Sequence, residues 1–337
     1  MTIEMTLDEI QTLARRALMR AGANADNADA VAETVTAAER DFTSSHGGTS
    51  SHGLFRIPGY VAGLQSGKVN GNADPKPSHT GGVVIRCDGE GGYAPLALMR
   101  CAAPLAECAK QNGAAVLALT NSHHFASLWR ETEALAELGV VAMSCVSYMP
   151  AVAPFGGTEA IFGTNPFSFA WPRDGKAPLV FDMATAAMAK GEVQIAARDG
   201  KQLPPNSGID KDGNPSQDAA EILKGALLPF GGYKGSALAM MVELLAGALV
   251  GESFSFEAAQ RDNKDGAPPR GGQMIIALSP QYIAGNGWNE HAESFINKLS
   301  AIPGARLPGS RRHKNRKDNS PRRINAELAT KIRNLAE

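Results

Sequence analysis

Ser51-His52-Gly53-Leu54-Phe55-Arg56 places a titratable side chain close to a cation that can grip a carboxylate. Histidine is the side chain best suited to exchanging protons near neutrality. Arginine can hold a carboxylate through two parallel hydrogen bonds. If the chain is helical from His52, Arg56 falls at i+4 on the same face. One group would then orient a carboxylate while the other protonates the atom beside it. A His–Arg pair also occurs as a surface or structural pair, so spacing alone leaves both uses open. Ser44-Ser45-His46-Gly47 is nearly copied at Ser50-Ser51-His52-Gly53. Only the second copy leads into LFRIPGY, and His52 is therefore preferred to His46.

Other clusters suggest anions rather than protons. Gly231-Gly232-Tyr233-Lys234-Gly235-Ser236 is a glycine loop with one cation opening a helix. It is not a Walker loop, because Lys234 does not follow the second glycine of that motif. Backbone N–H groups, the helix dipole and Lys234 suit an anion, and a capped turn suits the same residues. Gly89–Ala94 matches G-x-G-x-x-A between a strand and a helix. The next strand ends in Thr120-Asn121, without the acid that would hold a ribose, so the run reads as a turn and not as a Rossmann fingerprint. His123 and His124 are adjacent on a strand and point to opposite faces. No third ligand stands at zinc spacing, and no metal is expected. Asp182 reads as a turn acid. Arg311-Arg312-His313-Lys314 reads as a solvated segment or as one facing a phosphate.

These residues need a scaffold. Thr6 and Glu9 form a capping box, followed by Leu7, Ile10, Leu13, Ala14, Ala17 and Leu18 at helical spacing. A second helix is expected over 26–40, and a short one from Gly59 to about Leu64. Strand-like runs lie at 83–86, 115–120, 140–146, 161–170, 179–182 and 274–278. Helical patterns lie at 96–111, 127–138, 236–250, 291–299 and 325–335, with Pro104 expected to kink the first. Residues 199–216 and 251–272 read as polar loops. The class is α/β, mixed.

The 337 residues suit about two domains. Lys and Arg number 33 against 34 Asp and Glu, for a net charge of −1, which argues against a dedicated nucleic-acid binder. No apolar run approaches the ~18 residues of a membrane span, and no signal peptide is visible. Cys87, Cys101, Cys108 and Cys145 form no C-x-x-C pair and sit in apolar settings, so a cytoplasmic setting is expected.

SHGLFRIPGY, NSHHFASLW, FGTNPFSFAWP, VFDMATAAMAKGEVQIAARDG, LLPFGGYKGSALAMMVELLAGAL and RLPGSRRH follow one another in the chain. In that order they resemble the malate/L-lactate dehydrogenase family of the non-Rossmann type, and within it the branch that reduces cyclic imino acids. The resemblance implies a largely antiparallel cofactor-binding sheet at 129–300. It also implies a helical and mixed substrate and dimerisation domain built from 1–128 and 301–337, and a homodimer. The implied cofactor is NADPH, with NADH possible.

Residue by residue, the resemblance makes His52 the proton donor, with Ser51 and Glu192 completing its relay. It gives Arg56 and Thr164 to the substrate. To the cofactor it gives His124, Phe125, Ala126, Ser127, Leu128, Asp182, Met183, Ala184, Tyr233, Lys234, Arg306, Gly309, Ser310, Arg311 and Arg312. Glu192 stands where the branch has Asp, one methylene shorter. An acid beside His52 would favour the imidazolium and a cationic iminium substrate. The loop before Ser51 is about six residues longer than the family's. The implied reaction is reduction of Δ1-piperideine-2-carboxylate to L-pipecolate and of Δ1-pyrroline-2-carboxylate to L-proline. Dehydrogenation of a 2-hydroxy acid is the rival activity, with a 2-keto acid then the molecule reduced. A non-catalytic cofactor-binding paralogue is the rival class.

Overall fold

The structure is a computed structural model and describes residues 1–42, 49–124 and 127–337. The His46 copy, Phe125 and Ala126 lie outside the described residues.

The two chain ends fold together. Strand β1 (Thr2–Met5) leads into α1 (Leu7–Arg20), where Thr6 and Glu9 form the capping box and Ile10, Leu13, Ala14, Ala17 and Leu18 are buried. Helix α2 (Ala25–Asp41) starts at Asn24, whose side chain accepts from the Asn27 N–H. A 3-10 turn (Leu54–Arg56) then runs into α3 (Ile57–Gln65). These helices share one core with Ile324, Ala329 and Ile332 from the C-terminal end.

The middle of the chain builds a sheet. Strands β2 (Pro77–His79) and β3 (Val84–Asp88) precede α4 (Ala94–Asn112) and β4 (Ala114–His123). Then come α5 (Trp129–Glu137), β5 (Val141–Val146), β6 (Phe167–Trp171), β7 (Leu179–Met183) and α6 (Lys190–Arg198). Short elements follow: β8 (Gly208–Ile209), β9 (Pro215–Ser216), α7 (Ala219–Lys224) and β10 (Ala226–Leu227). Helix α8 (Tyr233–Glu243) continues into a π-helical segment (Leu244–Leu249). After it stand α9 (Ser255–Gln260), β11 (Arg270–Leu278), α10 (Pro280–Ala284), α11 (Trp288–Ser300) and α12 (Ser310–Arg316). The chain closes with β12 (Arg322–Asn325), paired antiparallel to β1, and α13 (Ala326–Ala336).

Seven strands form one sheet in the order β2-β3-β4-β11-β5-β6-β7. Only β3 and β4 pair in parallel, and every other neighbouring pair is antiparallel. The expected antiparallel, non-Rossmann sheet is therefore observed. The Gly89–Ala94 run is the turn from β3 into α4, which crosses over to the parallel β4. Helix α4 contains Pro104 without ending at it, and buries Leu98 and Leu105 against Leu117, Leu119 and Ile275 of the sheet.

Two expectations need correction. A boundary after residue 128 cuts through this sheet, because β2, β3 and β4 come from the first segment while β11 and β5–β7 come from the second. The strand expected over 161–170 shrinks to β6. Asn165 takes a left-handed backbone (φ 38°) and is fully buried, and its Nδ2 donates to Glu243 at 2.8 Å and to the Ala239 carbonyl at 3.0 Å. That anchoring turns residues 163–165 into a loop.

Candidate active site

A cavity of about 610 Å³ opens between the helical layer and the end of the sheet. This volume is in the range that takes a drug-sized ligand. His52 and Arg56 line one wall, Thr164 and Asp182–Ala184 a second, and His124 and Ser127 a third.

His52 is not helical. It sits in a turn ahead of the 3-10 segment, and Arg56 ends that segment at the start of α3. The turn brings both side chains to one cavity, so the shared face arises without an i+4 helix. Ser51 Oγ lies 3.2 Å from His52 Nδ1. That contact occupies Nδ1 and leaves Nε2 as the ring nitrogen free for a ligand. Burial in the cavity wall pushes the His52 imidazole down to about 3, and the nearby Arg56 and His124 add to the effect. At neutral pH this favours the uncharged ring. Burial also lowers Arg56, against the opposing influence of Tyr148 and Tyr60, yet a guanidinium keeps its charge in a protein.

Glu192 is not beside His52. It is exposed on α6 and lines no part of the cavity, whereas Lys190, Gly191 and Gln194 do. Residues 190 and 194 share a helix face at i, i+4, and residue 192 falls on the opposite side. The expectation that an acid here favours the imidazolium is therefore corrected, since the charge nearest His52 is positive. Gly191 is what allows α6 to come this close. A Cβ there would lie 2.6 Å from Arg56 Nη2 and 3.2 Å from Ser51 Cβ.

Thr164 is held by its carbonyl, which accepts from Thr185 N–H at 2.9 Å and Thr185 Oγ1 at 3.0 Å. Asp182, the penultimate residue of β7, forms an ion pair with Arg312 at 2.8 Å, and Arg312 in turn lies over the Trp129 ring at 4.5 Å. Burial raises the Asp182 carboxyl, opposed by Arg312 and by the Leu128 backbone N–H. Leu128 is fully buried behind the wall. Two residues expected to touch the cofactor, Asp182 and Arg312, thus bond to each other.

Other expected residues lie elsewhere. Tyr233 and Lys234 are exposed at the start of α8 and do not line the cavity, although Phe230 from the same loop does. Arg306, Ser310 and Arg311 are exposed, and Gly309 is the left-handed residue (φ 83°) before α12. None of these four lines the cavity.

Sequence reasoning missed Tyr148, Lys190 and Asp262, all at the cavity wall. Asp262 belongs to the polar stretch 251–272, and its charge inside a Gly-rich loop was the available signal. Lys190 is lowered by burial, with Asp262 opposing and Arg56 adding. Among the described residues, no group of three or more His, Cys, Asp or Glu could hold a metal ion. None of their helices is long and apolar enough to cross a membrane.

A mixed sheet with half-buried His52 and Arg56 lining one cavity beside it defines a class of enzyme-like fold distinct from the parallel dinucleotide-binding one. The chain belongs to the malate/L-lactate dehydrogenase family, whose sequence pattern matches residues 5–332. It is 44% identical over 313 residues to a Δ1-pyrroline-2-carboxylate/Δ1-piperideine-2-carboxylate reductase of Pseudomonas syringae pv. tomato, covering 93% of this chain and 90% of the relative. A reductase of the same description from Pseudomonas aeruginosa is 42% identical over 92% of each chain. The crystal structure of Δ1-piperideine-2-carboxylate reductase from P. syringae superposes with a TM-score of 0.91 at 42% identity, covering 99% of this chain and all of the other. Sulfolactate dehydrogenase of Methanocaldococcus jannaschii superposes at 0.85 with 26% identity, covering 99% and 96%.

Proposed function

We propose that this chain reduces cyclic imino acids, Δ1-piperideine-2-carboxylate to L-pipecolate and Δ1-pyrroline-2-carboxylate to L-proline, using NAD(P)H. The observation that carries the reading is one cavity lined by His52 and Arg56 on one side and by Asp182, Met183 and Ala184 on another. Relatives at 40–44% identity carry these activities in their names. The cavity's volume and its apolar and polar lining fit a nicotinamide beside a small carboxylic acid. A bound nicotinamide supplies the hydride that reduces the C=N carbon.

The chain's own residues do the rest. Arg56 clamps the substrate carboxylate through paired hydrogen bonds, which fixes the distance and angle of attack before reaction. Thr164 packs on the opposite wall. Ser51 on Nδ1 holds the His52 ring so that Nε2 addresses the imine nitrogen. A carboxylate on Arg56 offsets the guanidinium charge that adds to burial in lowering the His52 imidazole, so substrate binding eases protonation of its own proton donor.

NADPH is the preferred cofactor in this reading, supported by the exposed Arg306 and Arg311 on either side of Gly309, which lies against Val180 of β7. A homodimer is supported by the outer face of α8 and its π-helical continuation, where Ala237, Met240, Met241, Leu244, Ala248 and Leu249 are exposed and wholly apolar. Four buried free cysteines support a cytoplasmic setting.

Lys190 favours a second reading. Its ammonium faces the cavity and would suit the second carboxylate of oxaloacetate in a 2-hydroxy-acid dehydrogenase. NADPH and NADH oxidation with Δ1-piperideine-2-carboxylate, pyruvate and oxaloacetate separates the two. The imino acid should turn over fastest, and faster oxaloacetate would reverse the assignment. In the same assay His52→Ala should lower turnover by about 100-fold or more, the usual weight of a general acid. His46→Ala should change it little.

A further inference from the structure

We infer that Glu39 is a positioning residue that sets the orientation of His52 by holding both ends of the turn that carries it. Glu39 lies near the C-terminal end of α2, outside the cavity, and is 2% exposed. Its carboxylate reaches to the turn and splits its two oxygens. Oε2 accepts the Ser50 N–H at 3.0 Å, and Oε1 accepts the Leu54 N–H at 2.8 Å. Between those two anchors stand Ser51, His52 and Gly53.

The rest of the turn fits around this carboxylate. Gly53 N–H donates to the Ser50 carbonyl at 3.1 Å, and the His52 N–H donates to Ser50 Oγ at 3.3 Å. A Cβ on Gly53 would overlap the Glu39 carboxylate, so this neighbour requires glycine there. Leu54 opens the 3-10 segment, whose first N–H groups have no intrahelical partner. An anion against that end satisfies one of them and is favoured by the backbone dipoles.

The anchor needs two acceptors. An amide offers one oxygen and turns an NH₂ group against the second backbone N–H. Burial raises the Glu39 carboxyl to about 7, while the Ser50 and Leu54 N–H groups and Arg322 pull the other way. Because the proton-donating ring must stay within a narrow range of its target, a shift of about 1 Å originating outside the site can cost on the order of 100-fold in rate.

This inference rests on the proposed reductase reading for its kinetic arm but not for its spectroscopic one. Glu39→Gln is expected to lower kcat for the imino acid at least tenfold while the Kd for NADPH stays within twofold. His52→Ala and the double variant should then have the same residual turnover within twofold, because Glu39 acts through His52. Independently, the His52 ring resonances should move or broaden in Glu39→Gln. Gly53→Ala, which displaces the same carboxylate from the other side, should reproduce the loss if Glu39→Gln folds poorly. Additive losses in the double variant, or unchanged His52 resonances in a folded variant, would overturn the inference. Absence of imino-acid turnover in the wild type would count against the functional reading alone, and the resonances would still decide the role of Glu39.

Discussion

His52 and Glu39 are a hydrogen-bonded turn apart, and burial drives their protonation in opposite senses. The His52 imidazole is held at about 3, below its ordinary 6.5, so the unfolded chain binds more protons in between. Its contribution to stability is present above pH 6.5 and is lost as pH falls toward 3. Glu39 is raised to about 7 from its ordinary 4.5, so its contribution is present below pH 4.5 and lost as pH rises through 7. Denaturant unfolding at pH 7.5, 6.0 and 5.0 tests the first of these. Wild type should lose stability on acidification relative to His52→Ala, with a slope of at most about 1.4 kcal/mol per pH unit. Parallel pH curves for the two proteins would rule it out. The identities of His52 and Arg56 were legible because they are four residues apart. The lowering of the His52 imidazole was not, since it comes first from burial in a wall that only tertiary packing assembles.

Helix α3 and the loop after α9 illustrate how a wall is made from polar sequence. The 251–272 stretch reads as an excursion, yet Asp262, Gly266 and Ala267 line the cavity. Lys68, just beyond α3, holds that loop in place. Its Nζ donates to Asp262 Oδ1 at 3.0 Å, Asn263 Oδ1 at 3.0 Å, Asp265 Oδ1 at 3.1 Å and the Ala267 carbonyl at 3.2 Å. The Lys68 side chain is 10% exposed. Removing one partner from a buried ion pair leaves the other charge stranded. Lys68→Met should therefore cost about 3 kcal/mol in urea unfolding and raise KM for the substrate. A loss under 1 kcal/mol with unchanged KM would mean that the loop holds itself. Helix α6 carries the complementary lesson: a motif match located the element, but the 3.6-residue period decided that Lys190 and Gln194 face inward and Glu192 outward.

Across the whole molecule, β1 with β12 and the helices around them tie the two chain ends into one layer, while the sheet draws strands from both expected segments. Helix α12 completes the join: Arg316 pairs with Asp41 of α2 at 2.9 Å and with Glu133 of α5 at 2.8 Å. The basic stretch of α12 is thus partly spent on holding the fold, Arg312 on Asp182 and Arg316 on Asp41 and Glu133, and its sequence could not reveal which cations were paired. The outer face of α8 remains apolar and exposed. In the proposed homodimer this face is the interface, so Leu244→Glu with Met240→Glu should sediment at the chain mass, 35.3 kDa, where the wild type sediments at twice that. An unchanged mass at twice that value would place the interface elsewhere.

The capped helix α1, the periodicity of the strands and helices, and the glycine-flanked His–Arg segment were determined locally, by propensity, capping and spacing, and so could be read residue by residue. The family motifs carried the class of the sheet. Three things were decided only by tertiary structure: that β4 pairs with β11 some 150 residues later, that Glu39 closes the turn at His52, and that Asp182 is bound to Arg312. Each is a contact between residues far apart in the chain, whose energy depends on burial and approach that no local pattern records.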